Sequence, residues 1–493
     1  MSFMHSFSST KGCALNLTHS KPNGAFDELI GGDGEPRELA WPLMDRLRAL
    51  DPTELQRRQQ AAESAMFEAG TTFNVYSEAQ ATERIIPFDI VPRLIDSLSW
   101  AWLEQGLRQR IDALHCFIDD VLGQEHILRD GQVPRQFLPL DDPVVRWCKQ
   151  TGARPPGGVY CHVSGVDLVR GADGAFAVLE DNLRCPSGVS YVLENRDVLK
   201  QTFPRLFEAL PIRSVDDYPE QLLCRLAESA PAGTESPRIV VLTPGRFNSA
   251  YFEHAYLAQQ MGVPLVEPQD LLVDSGYVKM RTTRGLRRVD VVYRRIDDDF
   301  LDPQVFRPES LLGVPGIMDV YRRGRVALAN APGCGVADSK VVYTFVPTMI
   351  RYYLGEEPIL PNVETYLCAR QADRDYVLNH LDALVVKPAA ESGGKGILVG
   401  PHASQAQREA MAKQIRQNPG QFIAQPTIAL SQVPTVIDGH LEGRHVDLRP
   451  FVLHGDRTYV LPGGLTRVAL KEGSLTVNSS QGGGTKDTWV LAE

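Results

Sequence analysis

The chain has 493 residues, 43% hydrophobic and 23% charged, with a formal net charge of −10 at pH 7. That length fits roughly three structural units, and the composition excludes general disorder and leaves room only for a local basic patch toward nucleic acid or anionic lipid. No apolar run approaches the roughly 18 residues that cross a bilayer, Met1 to Ser20 lacks a signal-peptide core, and eight cysteines without a CxxC pair fit reduced thiols in the cytoplasm.

Residues 1–35 read as a mobile leader ending in the breaker cluster Gly31 to Pro36. Residues 36–150 read as mostly helical. Leu43, Leu47 and Leu50 have helical spacing, Asp51-Pro52-Thr53-Glu54 starts another helix, and Trp100, Leu103, Leu107, Ile111, Leu114 and Ile118 form a core stripe. In 151–230, Gly158 to Tyr160 and Val163 to Val169 predict strands. Gly171 to Gly174 is a turn, and Phe176 to Asn182 a further strand. Segment 231–330 alternates: a strand at Ile239 to Leu242, a helix from Ala250 to Met261 ended by Gly262, then strands at Val263 to Val266 and Val289 to Arg294. This βαβ pattern predicts a parallel sheet. The turn Thr243-Pro244-Gly245-Arg246 has no dinucleotide fingerprint. Segment 331–493 holds strands at Leu384 to Pro388, Ile397 to Val399, Phe422 to Gln425, Asp447 to Leu453 and Thr458 to Leu461, the loop Glu391 to Gly396 and a polar, Gly-rich tail. The fold class is α/β.

Three constellations carry chemistry. A two-residue turn centred on Asp173-Gly174 puts Asp167 across from Glu180, with Asn182 on the same face. Two acids and an amide oxygen make a hard site suited to Mg²⁺; otherwise one acid faces solvent or pairs with an arginine such as Arg184. Lys387, at a strand end, precedes Ser392-Gly393-Gly394-Lys395-Gly396, a turn able to cradle phosphate. Ala389 and Gly396 break the nucleoside-triphosphate P-loop pattern, so alone this is also an ordinary tight hairpin. Asp447, Arg449 and Phe451 share a strand face, where the guanidinium clamps an anion or makes a surface ion pair. Cys161 and His162 fall on opposite faces and form no catalytic pair. Asp297-Asp298-Asp299 is a cationic-amine site or a solvated turn, the turn being favoured.

The ordered motifs Gly70 to Tyr76, Pro87 to Arg93, Gln109 to Leu114, Gly158 to Arg170, Leu179 to Arg184 and Asn478 to Trp489 resemble the circularly permuted ATP-grasp proteins, relatives of glutathionylspermidine synthetase, over about residues 40–493. The resemblance implies a helical N-terminal region, a permuted metal-strand segment at 151–230, a pre-ATP-grasp βαβ subdomain at 231–330 and the lysine, Gly-loop and arginine segments at 331–493. It also implies Asp167, Glu180 and Asn182 as Mg²⁺ ligands, with Mn²⁺ an alternative. Lys340 and Lys387 would hold the ATP phosphates, and Gly393, Gly394 and Gly396 would close over them. Gln425 and Ile428 would contact the nucleotide from the hinge strand, where many relatives carry an acid in place of Gln425. Arg449 and Arg467 would bind the transferred phosphoryl group.

The activity implied is ATP-dependent carboxylate–amine ligation through an acyl phosphate. The substrates would be a small-molecule or peptide carboxylate and an amine acceptor. A kinase on the same scaffold and a nucleotide-binding assembly protein without turnover are the alternatives.

Overall fold

The computed structural model describes residues 24–77, 80–389, 396–477 and 482–493. Gly393 and Gly394 of the Gly-rich loop, Asn478 to Gln481 of the tail and residues 1–23 of the leader lie outside that range.

Helices α1 (Trp41–Arg48) and α2 (Pro52–Glu68) precede strands β1 (Thr72–Ser77), β2 (Gln80–Ile85) and β3 (Phe88–Ile95), so three strands interrupt the region expected to be helical. Helix α3 (Ser97–Leu122) starts where the Asp96 carboxylate accepts from Ser99 N–H at 2.8 Å, and it buries the expected stripe. Then come α4 (His126–Arg129), α5 (Pro143–Thr151), β4 (Val163–Arg170), β5 (Phe176–Asn182), α6 (Val189–Thr202), α7 (Pro204–Ala209) and α8 (Tyr218–Glu228). The strand expected at Gly158 to Tyr160 does not form; a 3₁₀ turn, Pro156–Gly158, leads into that segment.

The βαβ expectation holds. β6 (Ile239–Leu242), α9 (Tyr251–Met261, ended by Gly262 at φ +66°) and β7 (Leu265–Val266) are followed by a meander of β8 (Leu271–Asp274), β9 (Tyr277–Thr282) and β10 (Gly285–Arg288). After β11 (Val291–Arg294), α10 (Ile317–Arg322) and β12 (Ala327–Ala329), the order β12-β11-β6-β7 is parallel throughout.

Past α11 (Val346–Met349), a smaller sheet forms from β13 (Tyr366–Leu367), β14 (Leu384–Pro388), β15 (Leu398–Val399) and β16 (Phe422–Pro426). Helices α12 (Gln371–Asn379) and α13 (Gln405–Gln417) pack on it around a separate core that includes Val377, Leu384, Val386 and Ile415. The remaining strands are β17 (Gln432–Ile437), β18 (His440–Arg449), β19 (Phe451–Leu453), β20 (Tyr459–Val460), β21 (Leu465–Val468) and β22 (Gly484–Val490). They join β3, β4 and β5 in the nine-stranded sheet that carries the site.

The leader shortens at its C-terminal end. Leu29 and Ile30 are core residues, and Glu28 is buried against Arg93. Residues 28–30 are therefore packed, because an unpaired buried Glu28 would be costly and Arg93 supplies its partner, while residues 32–35 are exposed.

Candidate functional site

Asp167 on β4 lies opposite Glu180 on β5, and Gly165 opposite Asn182. The local route differs from the expected two-residue turn. Gly171 N–H donates to Ala175 O at 2.9 Å and Gly174 N–H to Gly171 O at 3.0 Å. The loop therefore holds three residues and closes on Gly174 at φ +78°. This moves the register by one, so that Leu168 pairs with Val178; a bulge at Leu179 moves it back before Glu180. Either irregularity alone would turn Glu180 away from Asp167.

Asp181 points to the opposite face. There Arg110 of α3 donates to both its oxygens, each at 2.7 Å, and to Asn362 Oδ1 at 2.8 Å. This buried clamp fixes β5, and so aims Glu180 and Asn182. Asn330 adds a second brace, its amide donating to Val163 O (2.7 Å) and Leu183 O (2.6 Å).

Asp167 is 1% exposed and holds two arginines. Arg449 donates through Nε to Oδ1 (2.5 Å) and Nη2 to Oδ2 (2.8 Å), and Arg467 Nη2 donates to Oδ2 at 2.7 Å. Arg467 also pairs with Asp447, directly opposite it across β18 and β21. Burial alone would raise the Asp167 carboxyl; the two guanidinium groups outweigh it and hold the group well below its usual range. At Asp447 burial prevails, and the carboxyl is raised. Asp447, Arg449 and Phe451 keep the expected shared face: Pro450 interrupts the strand, but Leu448 opposite Leu168 and Phe451 opposite Gly165 preserve one register along β4. Phe451 starts a new strand and packs into an apolar cluster.

The lysines arrive from later segments. Lys340 Nζ lies 3.6 Å from Glu180 Oε2. Lys387 is surrounded by the charges of Glu180, Lys340, Asp167 and Arg467; burial lowers its ammonium below the usual lysine range, with Glu180 opposing. Gln425, 2% exposed on β16, donates Nε2 to Thr365 Oγ1 at 3.0 Å and leaves Oε1 buried without a partner among the described residues. Ile428 is partly buried beside a small cluster that includes Val169 and Val363. Gly396, with φ +69°, is the described end of the Gly-rich loop.

Glu180 and Asn182 therefore share a face with Asp167 behind them, an all-oxygen donor set that fits a hard cation. The Asn182 amide nitrogen is buried without a partner among the described residues. Asp167 already accepts three N–H bonds, which makes it as much an anchor for the arginines as a ligand. Among the described residues no group of three or more His, Cys, Asp or Glu could hold a metal ion.

Arg184 does not approach Glu180. Its Nε donates to Asp338 Oδ2 at 2.5 Å, and Leu183 N–H donates to Asp338 Oδ1 at 2.6 Å. The acidic triplet is solvent-exposed only at Asp297. Asp298 is buried and paired with Arg294, and Asp299 pairs with Arg307. Asp338, Asn330 and the Arg110–Asp181 clamp were not singled out in the sequence. Only Arg110 left a signal, a charge set beside the apolar stripe of α3.

Among the described residues, no helix is long and apolar enough to cross a membrane. An uncharacterised protein of Synechocystis sp. is 58% identical over 97% of this chain and 99% of its own length. A Mycobacterium tuberculosis protein, also uncharacterised, is 51% identical over 95% of this chain and 84% of its own. A Frankia alni protein with the provisional name glutamate–cysteine ligase 2-3 is 44% identical over 96% of this chain, which spans 54% of that longer protein. A solved glutathione synthetase-like effector from Globodera pallida shares the fold, with a TM-score of 0.59 at 9% identity, over 90% of this chain and 98% of the effector. The sequence profile of circularly permuted ATP-grasp type 2 matches residues 92–469, and the chain belongs to that family.

Proposed function

We propose that the protein is an ATP-dependent carboxylate–amine ligase that works through an acyl phosphate. The observation that carries this reading is the convergence of Lys340, Lys387, Glu180, Asp167 and Arg467, from four separate stretches of chain, around one point.

Lys340 and Lys387 bind the phosphates of ATP, with Gly393, Gly394 and Gly396 as their loop, and Gln425 Oε1 accepts from the adenine amino group. Glu180 and Asn182, with Asp167, hold Mg²⁺, which supplies charge neutralisation for the phosphates. Arg449 and Arg467, kept extended by Asp167, orient the γ-phosphoryl group and stabilise its charge as it transfers. A substrate carboxylate oxygen attacks the γ-phosphorus and the bond to ADP breaks. An amine nitrogen then attacks the acyl carbon, inorganic phosphate leaves with the bonding pair, and the amine gives up a proton.

The test is ADP release with Mg²⁺ across pairs of carboxylates and amines. Glutamate with cysteine comes first, on the strength of the Frankia relative's name. Turnover should require both substrates and fall at least about 100-fold in Glu180→Gln. ADP release that needs the carboxylate but no amine would make the protein a kinase. Absence of ATP binding at millimolar concentration would remove the enzyme reading altogether.

A further inference from the structure

The meander β8 to β10 makes the crossover from β7 to β11, a connection usually made by a helix in a parallel sheet. One of its faces does a helix's work: Val278 is fully buried and Met280 packs on the core beneath β6 and β11. The register pairs Leu286 with Arg281 and Arg288 with Lys279, so these four residues and Tyr277 share the other face. That face is open. All four residues of β10 are exposed, Leu286 to 44%.

The charge here runs against the rest of the molecule. Between Ser275 and Val289 stand five cations, Lys279, Arg281, Arg284, Arg287 and Arg288, and no acid, in a chain whose net charge is −10. Lys279 pairs with Asp274, and Arg288 with Asp290 at 2.8 Å. Arg281, Arg284 and Arg287 have no acidic partner among the described residues. Arg288 and Arg325 lie over the Tyr277 ring, 4.5 and 5.1 Å from its centroid, which fixes two guanidinium groups in place. A few charges suffice to keep an edge strand from pairing with another chain; this cluster exceeds that need and surrounds an exposed leucine.

We propose that this face docks an acidic polypeptide segment of a partner protein, with Leu286 as its apolar contact and Arg281 and Arg284 as its charge partners; Arg287, opposite Met280, belongs to the other face. A nucleic acid fits less well. The four-residue β10 spans only about 13 Å, room for a few phosphates, and the acidic remainder of the chain repels a longer polyanion. The proposal is independent of the nucleotide site.

Fluorescence anisotropy of a labelled decaglutamate peptide with the full chain tests it, against decaglutamine and an oligothymidylate of the same length. Decaglutamate should bind at low salt and weaken as salt rises. Arg281→Glu combined with Arg284→Glu should cost about tenfold in affinity, and Arg281→Glu alone should weaken binding in the same direction, with an unchanged thermal midpoint in both. The proposal is overturned if decaglutamate binds no better than decaglutamine, if the charge reversals leave its affinity unchanged, or if the oligothymidylate binds more tightly.

Discussion

Two ionic assemblies lie against the nine-stranded sheet, and their difference separates a lock from a site. At the seam between β3 and β22, Glu28 pairs with Arg93, Asp89 with Lys486 and Asp487 with Arg196, none more than 4% exposed. Each acid has its base, and spare donors reach backbone carbonyls: Lys486 Nζ donates to Val91 O and Pro434 O, and Arg196 Nη2 to Thr488 O. At the other assembly, Lys340, Lys387, Arg449 and Arg467 outnumber Asp167, Glu180 and Asp447. The side chains of Lys340 and Glu180 stay 19% and 24% exposed. A balanced, sealed network holds strands together; an open one with a cation in excess is prepared for an anion.

Breaking the lock should give the largest effect. Lys486→Met leaves Asp89 buried without its ammonium, at a cost of about 3–5 kcal/mol in urea unfolding, while nucleotide affinity of the folded fraction is unchanged. Loss of nucleotide binding at full stability would erase the distinction between the assemblies.

The same replacement in the site should do the reverse. If Lys387 binds the ATP phosphates as proposed, Lys387→Met should weaken ATP binding about 10- to 100-fold in calorimetry. Its thermal midpoint should hold or rise, since the desolvating surroundings of Lys387 disfavour its ammonium. The pH dependence follows from the lowered value of Lys387. Its burial penalty is present while the folded-state ammonium is charged, and fades as pH rises from that lowered value toward the ordinary lysine range. Through that window the ATP-free protein gains stability and ATP affinity falls. Lys387→Arg keeps its charge and should shift the loss of affinity to higher pH; an unshifted limb would assign it to another group.

How much of this was legible depends on distance along the chain. The βαβ segment was readable because Ile239 to Leu242 and Val291 to Arg294 are short apolar runs whose burial on both faces needs no knowledge of partners. The facing of Asp167 and Glu180 was read correctly through an incorrect turn, because a three-residue loop and a bulge at Leu179 offset each other and neither has a strict sequence signature. The strands β1 to β3 were missed; β3 is buried at every position like β6, but Asp89, Pro92 and Arg93 interrupt the apolar run that marks a buried strand. The tail motif from Asn478 to Trp489 drew notice only by resemblance. That Lys486 and Asp487 close the seam depends on partners nearly 400 and 300 residues earlier, Asp89 and Arg196, and no local pattern encodes that.

The smallest effect tests what an unpartnered buried atom means. Among the described residues, Gln425 Oε1 on β16 and Asp487 Oδ1 in the lock both lack a hydrogen bond, so such an atom does not by itself mark a ligand site. If Gln425 Oε1 is kept open for the adenine amino group, Gln425→Leu should lower ATP affinity by roughly three- to tenfold, the worth of one hydrogen bond. GTP, which carries a carbonyl at that position, should lose less, so the preference for ATP narrows. Folding stability should scarcely change, because the leucine also removes an unsatisfied acceptor and Thr365 Oγ1 keeps its bond to Val363 O at 2.9 Å. An unaltered ratio of ATP to GTP affinity would place Gln425 with Asp487, as a residue of the scaffold.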